Sequence, residues 1–145
     1  MRIYEIQTKF ITVGDCEPEK LCKPEDVAAY MAGATSDYES QEQFWVIIVD
    51  GSSQPIARHR ITIGLANQTQ IHPREAFRLA IREGAVSVIF VHNHPSGNPK
   101  PSPEDWATTA KLVEAGRLLD ILVLDHVILA GSLHTSLKSL RPTAF

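Results

Sequence analysis

The chain has only two cysteines, Cys16 and Cys22, both near its N-terminus. Two cysteines cannot build the disulfide framework that staples small secreted domains, and no second pair completes a four-cysteine metal site. Both are read as free thiols. Long apolar runs are missing as well; none approaches the roughly 18 residues a membrane-spanning helix needs. The opening MRIYEIQTKFITVG lacks the apolar core of a signal peptide, so the expectation is a soluble, cytoplasmic protein with no membrane partner. An excess of charge of one sign is absent too. Against 14 basic residues stand 17 acidic ones, a net charge of -3, so a nucleic-acid role would have to rest on a local patch. Internal repeats and low-complexity stretches are also lacking.

What remains is ordinary soluble-protein composition, 43% hydrophobic and 21% charged, in a chain of 145 residues read as a single domain with a real core. Residues 1–13 alternate loosely enough to suggest an opening strand. Pro24-Glu25-Asp26 starts a short helix that Gly33 stops. Phe44–Val49 is a continuous apolar run, predicting a buried strand that turns at Asp50-Gly51 into a second, antiparallel strand over Ile56–Ile63. Gly64 breaks the pattern, and residues 67–71 suggest another short extended piece. From Pro73 the spacing of Ala76, Phe77, Ala80 and Ile81 predicts a helix ending at Gly84. Val86–Val91 predicts a strand running into His92, and Pro103–Gly116 a helix. Ile121–Leu124 and Val127–Ala130 predict a last strand region interrupted by Asp125-His126; no element is assigned to the tail. Strands and helices interleave, giving an α/β or α+β fold with a mixed β-sheet flanked by helices.

The chemistry concentrates in residues 88–106, VIFVHNHPSGNPKPSPEDW. Residues i and i+2 of a strand point to one side, so His92 and His94 can converge on one ion. Ser102 sits where a helix N-cap belongs, with Pro103 first and Asp105 third in the helix. A loop folded back over this span brings the Asp105 carboxylate beside both imidazoles, with Ser102 adjacent. Two His, one Asp and an open position are the donor set of a catalytic zinc site. Taken alone, Ser-Pro-Glu-Asp reads first as a capping sequence that needs no metal; the combination with His-x-His and the Pro/Gly turn is what points to an ion. His-Asn-His is not the dispersed motif of HNH nucleases, and the His-x-Glu and Pro-Cys-x-x-Cys of zinc deaminases are absent.

His92-x-His94, seven residues, Ser102, two residues, Asp105 resembles the His-x-His-x7-Ser-x2-Asp signature of the JAMM (JAB/MPN) metalloproteases. More narrowly, residues 72–131, with HNHPSG and the downstream DHVI, resemble RadC-like proteins, and the likeness extends more loosely back to Phe44; residues 1–43 are more divergent. The resemblance implies a JAB/MPN, cytidine-deaminase-like fold in which His92, His94 and Asp105 bind Zn2+. It implies hydrolysis of a peptide or isopeptide bond in a protein or peptide substrate, with Ser102 helping to hold the oxyanion. The family's general base is a glutamate in the strand before the glycine that aligns with Gly64. That strand here reads IARHRITIG, which puts His59 or Arg60 at the place; a neutral His59 is one candidate base. Glu42, before the first core strand, and Glu75, at a helix start, are not evident substitutes. Two alternatives therefore stand beside the hydrolase: a non-catalytic zinc-binding interaction module, and the DNA-associated repair factor of the family's traditional label. For the latter, no helix-hairpin-helix is recognisable before Phe44.

Other residues carry two readings each. Asp125-His126 either orients a metal ligand or makes structural hydrogen bonds at a strand end. Arg58, His59 and Arg60 form a basic cluster near the expected site, either a solvated face or a receptor for an acidic terminus or phosphate. His72-Pro73-Arg74-Glu75 starts a helix, Trp106 packs, and His134 lies on the surface.

Overall fold

In the computed structural model, residues 9, 11–15, 19–64 and 71–145 are described. The elements run α1 (Pro24–Tyr30), β1 (Gln43–Val49), β2 (Pro55–Ile63), α2 (Pro73–Ala76), α3 (Arg78–Glu83), β3 (Ser87–Asn93), α4 (Pro103–Leu118), β4 (Leu122–Ala130), β5 (Leu133–Ser136) and α5 (Leu137–Leu140). Short 3-10 turns occupy Ser36–Tyr38 and Pro142–Ala144. No helix among the described residues is long and apolar enough to cross a membrane.

The five strands form one mixed sheet in the order β2-β1-β3-β4-β5. The β1–β2 hairpin is antiparallel, as its turn predicts. Asp50 closes that turn, its Oδ1 accepting from the backbone N–H groups of Ser52 at 2.8 Å and Gln54 at 2.9 Å. β1 also pairs antiparallel with β3, β3 pairs parallel with β4 through the α4 crossover, and β4 pairs antiparallel with β5.

The apolar run of β1 is explained by burial on both faces. Phe44, Val46 and Ile48 point with Val88 and Phe90 toward Ala76, Phe77, Ala80 and Leu112 of α2, α3 and α4. Trp45, Ile47 and Val49 point the other way with Ile89 and Val91, toward Leu21, Val27 and Met31 at α1. The sheet is thus a filled middle layer, a mixed sheet with flanking helices.

Four sequence expectations need correction or restriction. The single helix from Pro73 to Gly84 is two short helices, because Phe77 leaves helical geometry (φ -98, ψ -4) and buries its ring edge-on to Phe90, centroids 5.5 Å apart. β4 is continuous through Asp125-His126; a register shift at Val88/Ile89 lets the pair stay in the ladder. The tail is structured, forming β5 and α5. Of the expected opening strand, residues 1–8 and 10 lie outside the described residues, as do Cys16 and positions 67–70; residues 9 and 11–15 belong to neither helix nor strand.

Candidate metal centre

Three elements converge at one end of the sheet. β3 delivers His92, fully buried, on the face that also carries Phe90. His94 follows two residues on, and its backbone N–H continues the ladder to the Leu129 carbonyl at 2.7 Å, so both imidazoles keep to one side. α4 then starts beneath them. Ser102 is its N-cap: Oγ accepts from the Asp105 backbone N–H at 3.1 Å, and the Ser102 backbone N–H donates to Asp105 Oδ2 at 2.7 Å. The cap and the candidate cluster therefore use the same residues, because capping turns Asp105 inward.

His92 Nε2 and His94 Nε2 are 2.9 Å apart. Asp105 Oδ1 is 3.2 Å from His92 Nε2, and Oδ2 is 3.3 Å from His94 Nε2. Ligands about 2.0–2.1 Å from a tetrahedral zinc stand roughly 3.3 Å from one another, so these atoms have the spacing of ligands to one ion. Asp105 Oδ1 is completely buried with no donor aligned on it, an orphaned carboxylate oxygen of the sort a cation satisfies. His94 Nδ1 lies 2.8 Å from the Asn98 carbonyl. A carbonyl only accepts, so Nδ1 is the donor and Nε2 is the atom presented to the cluster.

The fourth member is Glu42, its Oε1 3.9 Å from His92 Nε2 and 4.0 Å from His94 Nε2. Together Glu42, His92, His94 and Asp105 offer ligand atoms all within 4.8 Å of one another. This corrects the expectation that His59 or Arg60 occupies the glutamate's place. Phe44 pairs with His92 in the antiparallel β1–β3 register; two residues further along both strands, Glu42 comes opposite His94 on the same face. The alternation that buries Phe44, Val46 and Ile48 was the available signal, extended one step beyond the apolar run. Between them, the Gln43 backbone N–H donates to Asn93 Oδ1 at 2.7 Å, locking the strand ends.

Electrostatics follow from burial and closeness. Burial pushes the His92 imidazole below its ordinary value, against the opposing pull of Asp105. His94 is raised, chiefly by its hydrogen bond with Asp105. Burial acts to raise Asp105, but the two imidazoles and the Ser102 backbone N–H outweigh it and hold the carboxyl well below the usual carboxylate range. Glu42 is raised by burial, with His94 opposing and Asp105 adding to the rise.

A family model, the RadC-like JAB domain, matches residues 21–141. The chain belongs to the RadC-like JAB domain family. Relatives named UPF0758 protein include one from Methanospirillum hungatei, 39% identical over 97% of this chain and 62% of its own length. Others are from Desulforamulus reducens, 46% identical over 80% and 51% respectively, and Methanosarcina acetivorans, 40% identical over 94% and 59%. The chain thus spans between half and two-thirds of the length of these relatives.

Within this RadC-like JAB domain the remaining candidates separate. Arg58, His59 and Arg60 do not form one patch, because alternation along β2 splits them. The Arg58 guanidinium donates to the Tyr30 carbonyl and lies over the Tyr30 ring; Arg60 pairs with Asp37 at 2.9 Å and lies over Trp45. His59 is exposed on the opposite side, with Arg78 and Arg82 as its charged neighbours. Trp106 packs under the Arg141 guanidinium, 4.4 Å from its ring centroid, which ties the tail to α4. His134 is half-buried, 3.7 Å from Glu25. Asp125 accepts from the His126 backbone N–H at 2.7 Å and the Ser136 hydroxyl at 2.6 Å, a structural clamp between β4 and β5. His126 turns to the cluster, with Nε2 2.8 Å from His92 Nδ1. A cavity of about 500 Å³, lined by Ala28, Ala32, Gly33, Gly131 and Leu133, opens beside His94.

Proposed function

We propose that this protein is a zinc-dependent hydrolase of the JAMM type that cleaves a peptide or isopeptide bond. His92, His94 and Asp105 are the zinc ligands, Glu42 is the general base, and Ser102 supports the oxyanion. The observation that carries the reading is the graded spacing of the cluster. Three ligand groups stand 2.9–3.3 Å from their neighbours, while the Glu42 carboxylate stands at 3.9–4.0 Å from both imidazoles. That is one step back from the ion, where a base reaches a water rather than the metal. Two imidazoles, one carboxylate and an open position suit zinc among the divalent ions. When bound, such an ion polarises a carbonyl oxygen and makes water acidic toward a pKa of about 7.

The chain's own residues supply the rest. Glu42 takes a proton from the attacking water and delivers it to the leaving nitrogen. The Ser102 hydroxyl uses its oxygen to cap Asp105, which leaves its hydrogen to donate to the carbonyl oxygen of the substrate. A carboxylate in reach of the site favours hydrolysis over the binding-only alternative, whose ground was the lack of one.

The test has two arms. Purified protein is expected to bind one equivalent of zinc and to cleave members of a peptide and isopeptide-linked library. Glu42→Gln is expected to retain the zinc while losing roughly 10²–10⁴-fold in turnover, the range for a general base. Failure of the wild type to take up zinc, or a Glu42→Gln protein as fast as wild type, sinks the assignment.

A further inference from the structure

The hydrogen bonds behind His92 lead away from the cluster and return to it. His92 Nδ1 is 2.8 Å from His126 Nε2, His126 Nδ1 is 2.6 Å from Thr109 Oγ1, and Thr109 Oγ1 is 2.7 Å from the Asp105 carbonyl oxygen. All four residues are buried. A histidine that ligates a metal through Nε2 ordinarily donates its Nδ1–H to a carboxylate or a carbonyl, groups that can only accept and so fix the tautomer. His92 donates instead to another imidazole, and an imidazole is indifferent, since either nitrogen can carry the proton. The choice must be made further along.

Thr109 makes it. Its hydroxyl has one hydrogen and two close neighbours, the Asp105 carbonyl and His126 Nδ1. The carbonyl cannot donate. Were the hydrogen turned toward His126, two oxygens would face each other at 2.7 Å with nothing between them. The hydrogen therefore goes to the Asp105 carbonyl, and His126 Nδ1–H donates to the hydroxyl oxygen. His126 sits at 0% exposure, its ring against Phe44 and Phe90, and the partners of both its nitrogens are neutral, a setting hostile to a positive charge. A neutral His126 protonated at Nδ1 accepts at Nε2, so His92 carries its proton on Nδ1. Its Nε2 lone pair is then bare and faces His94 Nε2 and Asp105 Oδ1.

We propose that Thr109, acting through His126, is a positioning residue that holds His92 in the metal-ligating tautomer. The inference rests on the zinc reading above. Asp105 closes the circuit at both ends, its carboxylate in the cluster and its carbonyl, one helical turn below Thr109, terminating the relay. In the opposite order His92 would carry an N–H where the ion belongs.

Thr109→Val keeps the shape and removes the hydroxyl. With no acceptor at Nδ1, His126 moves its proton to Nε2 and donates to His92, which must then carry Nε2–H. Zinc affinity, read by competition with a chromophoric chelator, is expected to fall about 10–100-fold, while Thr109→Ser restores it. The second readout is the imidazole nitrogen NMR spectrum of the zinc-free chain. In the wild type His92 and His126 are expected as Nδ1–H, and in Thr109→Val as Nε2–H. Unchanged affinity in Thr109→Val, or a wild-type His92 protonated at Nε2, overturns the proposal. A wild type that binds no zinc at all overturns the hydrolase reading instead, and the wild-type spectrum still decides the relay whether or not the variant folds.

Discussion

Glu42 is placed by backbone register and tuned by its surroundings. Burial raises its carboxyl above the ordinary glutamate value of 4.5, His94 pulls it down, and Asp105 pushes it up again. A base works only as the carboxylate. In the zinc-free chain the Glu42 carboxyl is expected to titrate above its ordinary value because it is buried, read from its side-chain carboxyl NMR shift against pH, and bound zinc, a larger positive charge close by, is expected to pull it back down. A zinc-free Glu42 that titrates at or below the ordinary glutamate value would show that burial does not tune it. At this scale the convergence of His92, His94 and Asp105 was legible in the sequence, because His-x-His on a strand and Ser-x-x-Asp at a helix start each have one geometric consequence. Glu42 was not. It lies 50 residues before His92, and only the β1–β3 register, a non-local pairing, brings it opposite His94. The hairpin partner strand β2 was a source of the base only while its register was unknown: His59 pairs with Val46, on the face of Phe90 and His92 but four residues along β1 from Glu42.

Among the elements, α4 carries the greatest constraint, since its first turn supplies Asp105, its second supplies Thr109 and its far end packs on β4. Gly116 is the point of closest approach. A Cβ there would meet the Ile121 carbonyl at 2.5 Å and a Val123 methyl at 3.0 Å. Alanine is the better helix former by about 1 kcal/mol, but overpacking against backbone costs about 1–3 kcal/mol. The carbonyl belongs to the chain leading into β4, and the Ile121 backbone N–H is bonded to the Gly116 carbonyl at 2.9 Å, so neither partner can give. Gly116→Ala is expected to destabilise the protein by about 2 kcal/mol net, seen as a lowered midpoint in urea unfolding. A midpoint at or above wild type would mean that the contact relaxes freely. The sequence reading started this helix at its cap and ran it only as far as Gly116. Gly116 lies inside the helix, which continues to Leu118, and its role is packing, which no local pattern announces. Phe77 is the parallel case in the preceding helical stretch: its apolar spacing fitted a continuous helix, yet burying the ring against Phe90 broke the helix there.

For the molecule as a whole, the cluster joins three separate parts of the chain: the start of β1, the end of β3 and the start of α4. Groups so distributed are brought together only in the folded state, so the zinc binding proposed above would be linked to folding. An ion held by the native state alone stabilises it by about 2.7 kcal/mol at a free concentration one hundred times its dissociation constant. For a chain of this size that corresponds to a melting temperature raised by roughly 8 °C. The increment must fade on acidification, because zinc competes with protons for His94, whose proton affinity is raised first by the hydrogen bond with Asp105. Protonated His94 cannot ligate, so the zinc-dependent rise is expected in full above the histidine range and to vanish as pH drops through the raised value. Thermal melts with zinc and with chelator, at neutral and at acid pH, measure this directly, and Asp105→Ala serves as the control that removes a ligand and with it the increment. If chelator and zinc give the same melting temperature at neutral pH in the wild type, the three parts of the chain are not gripping one ion. The facing lone pairs of His92, His94 and Asp105 would then need another source of positive charge.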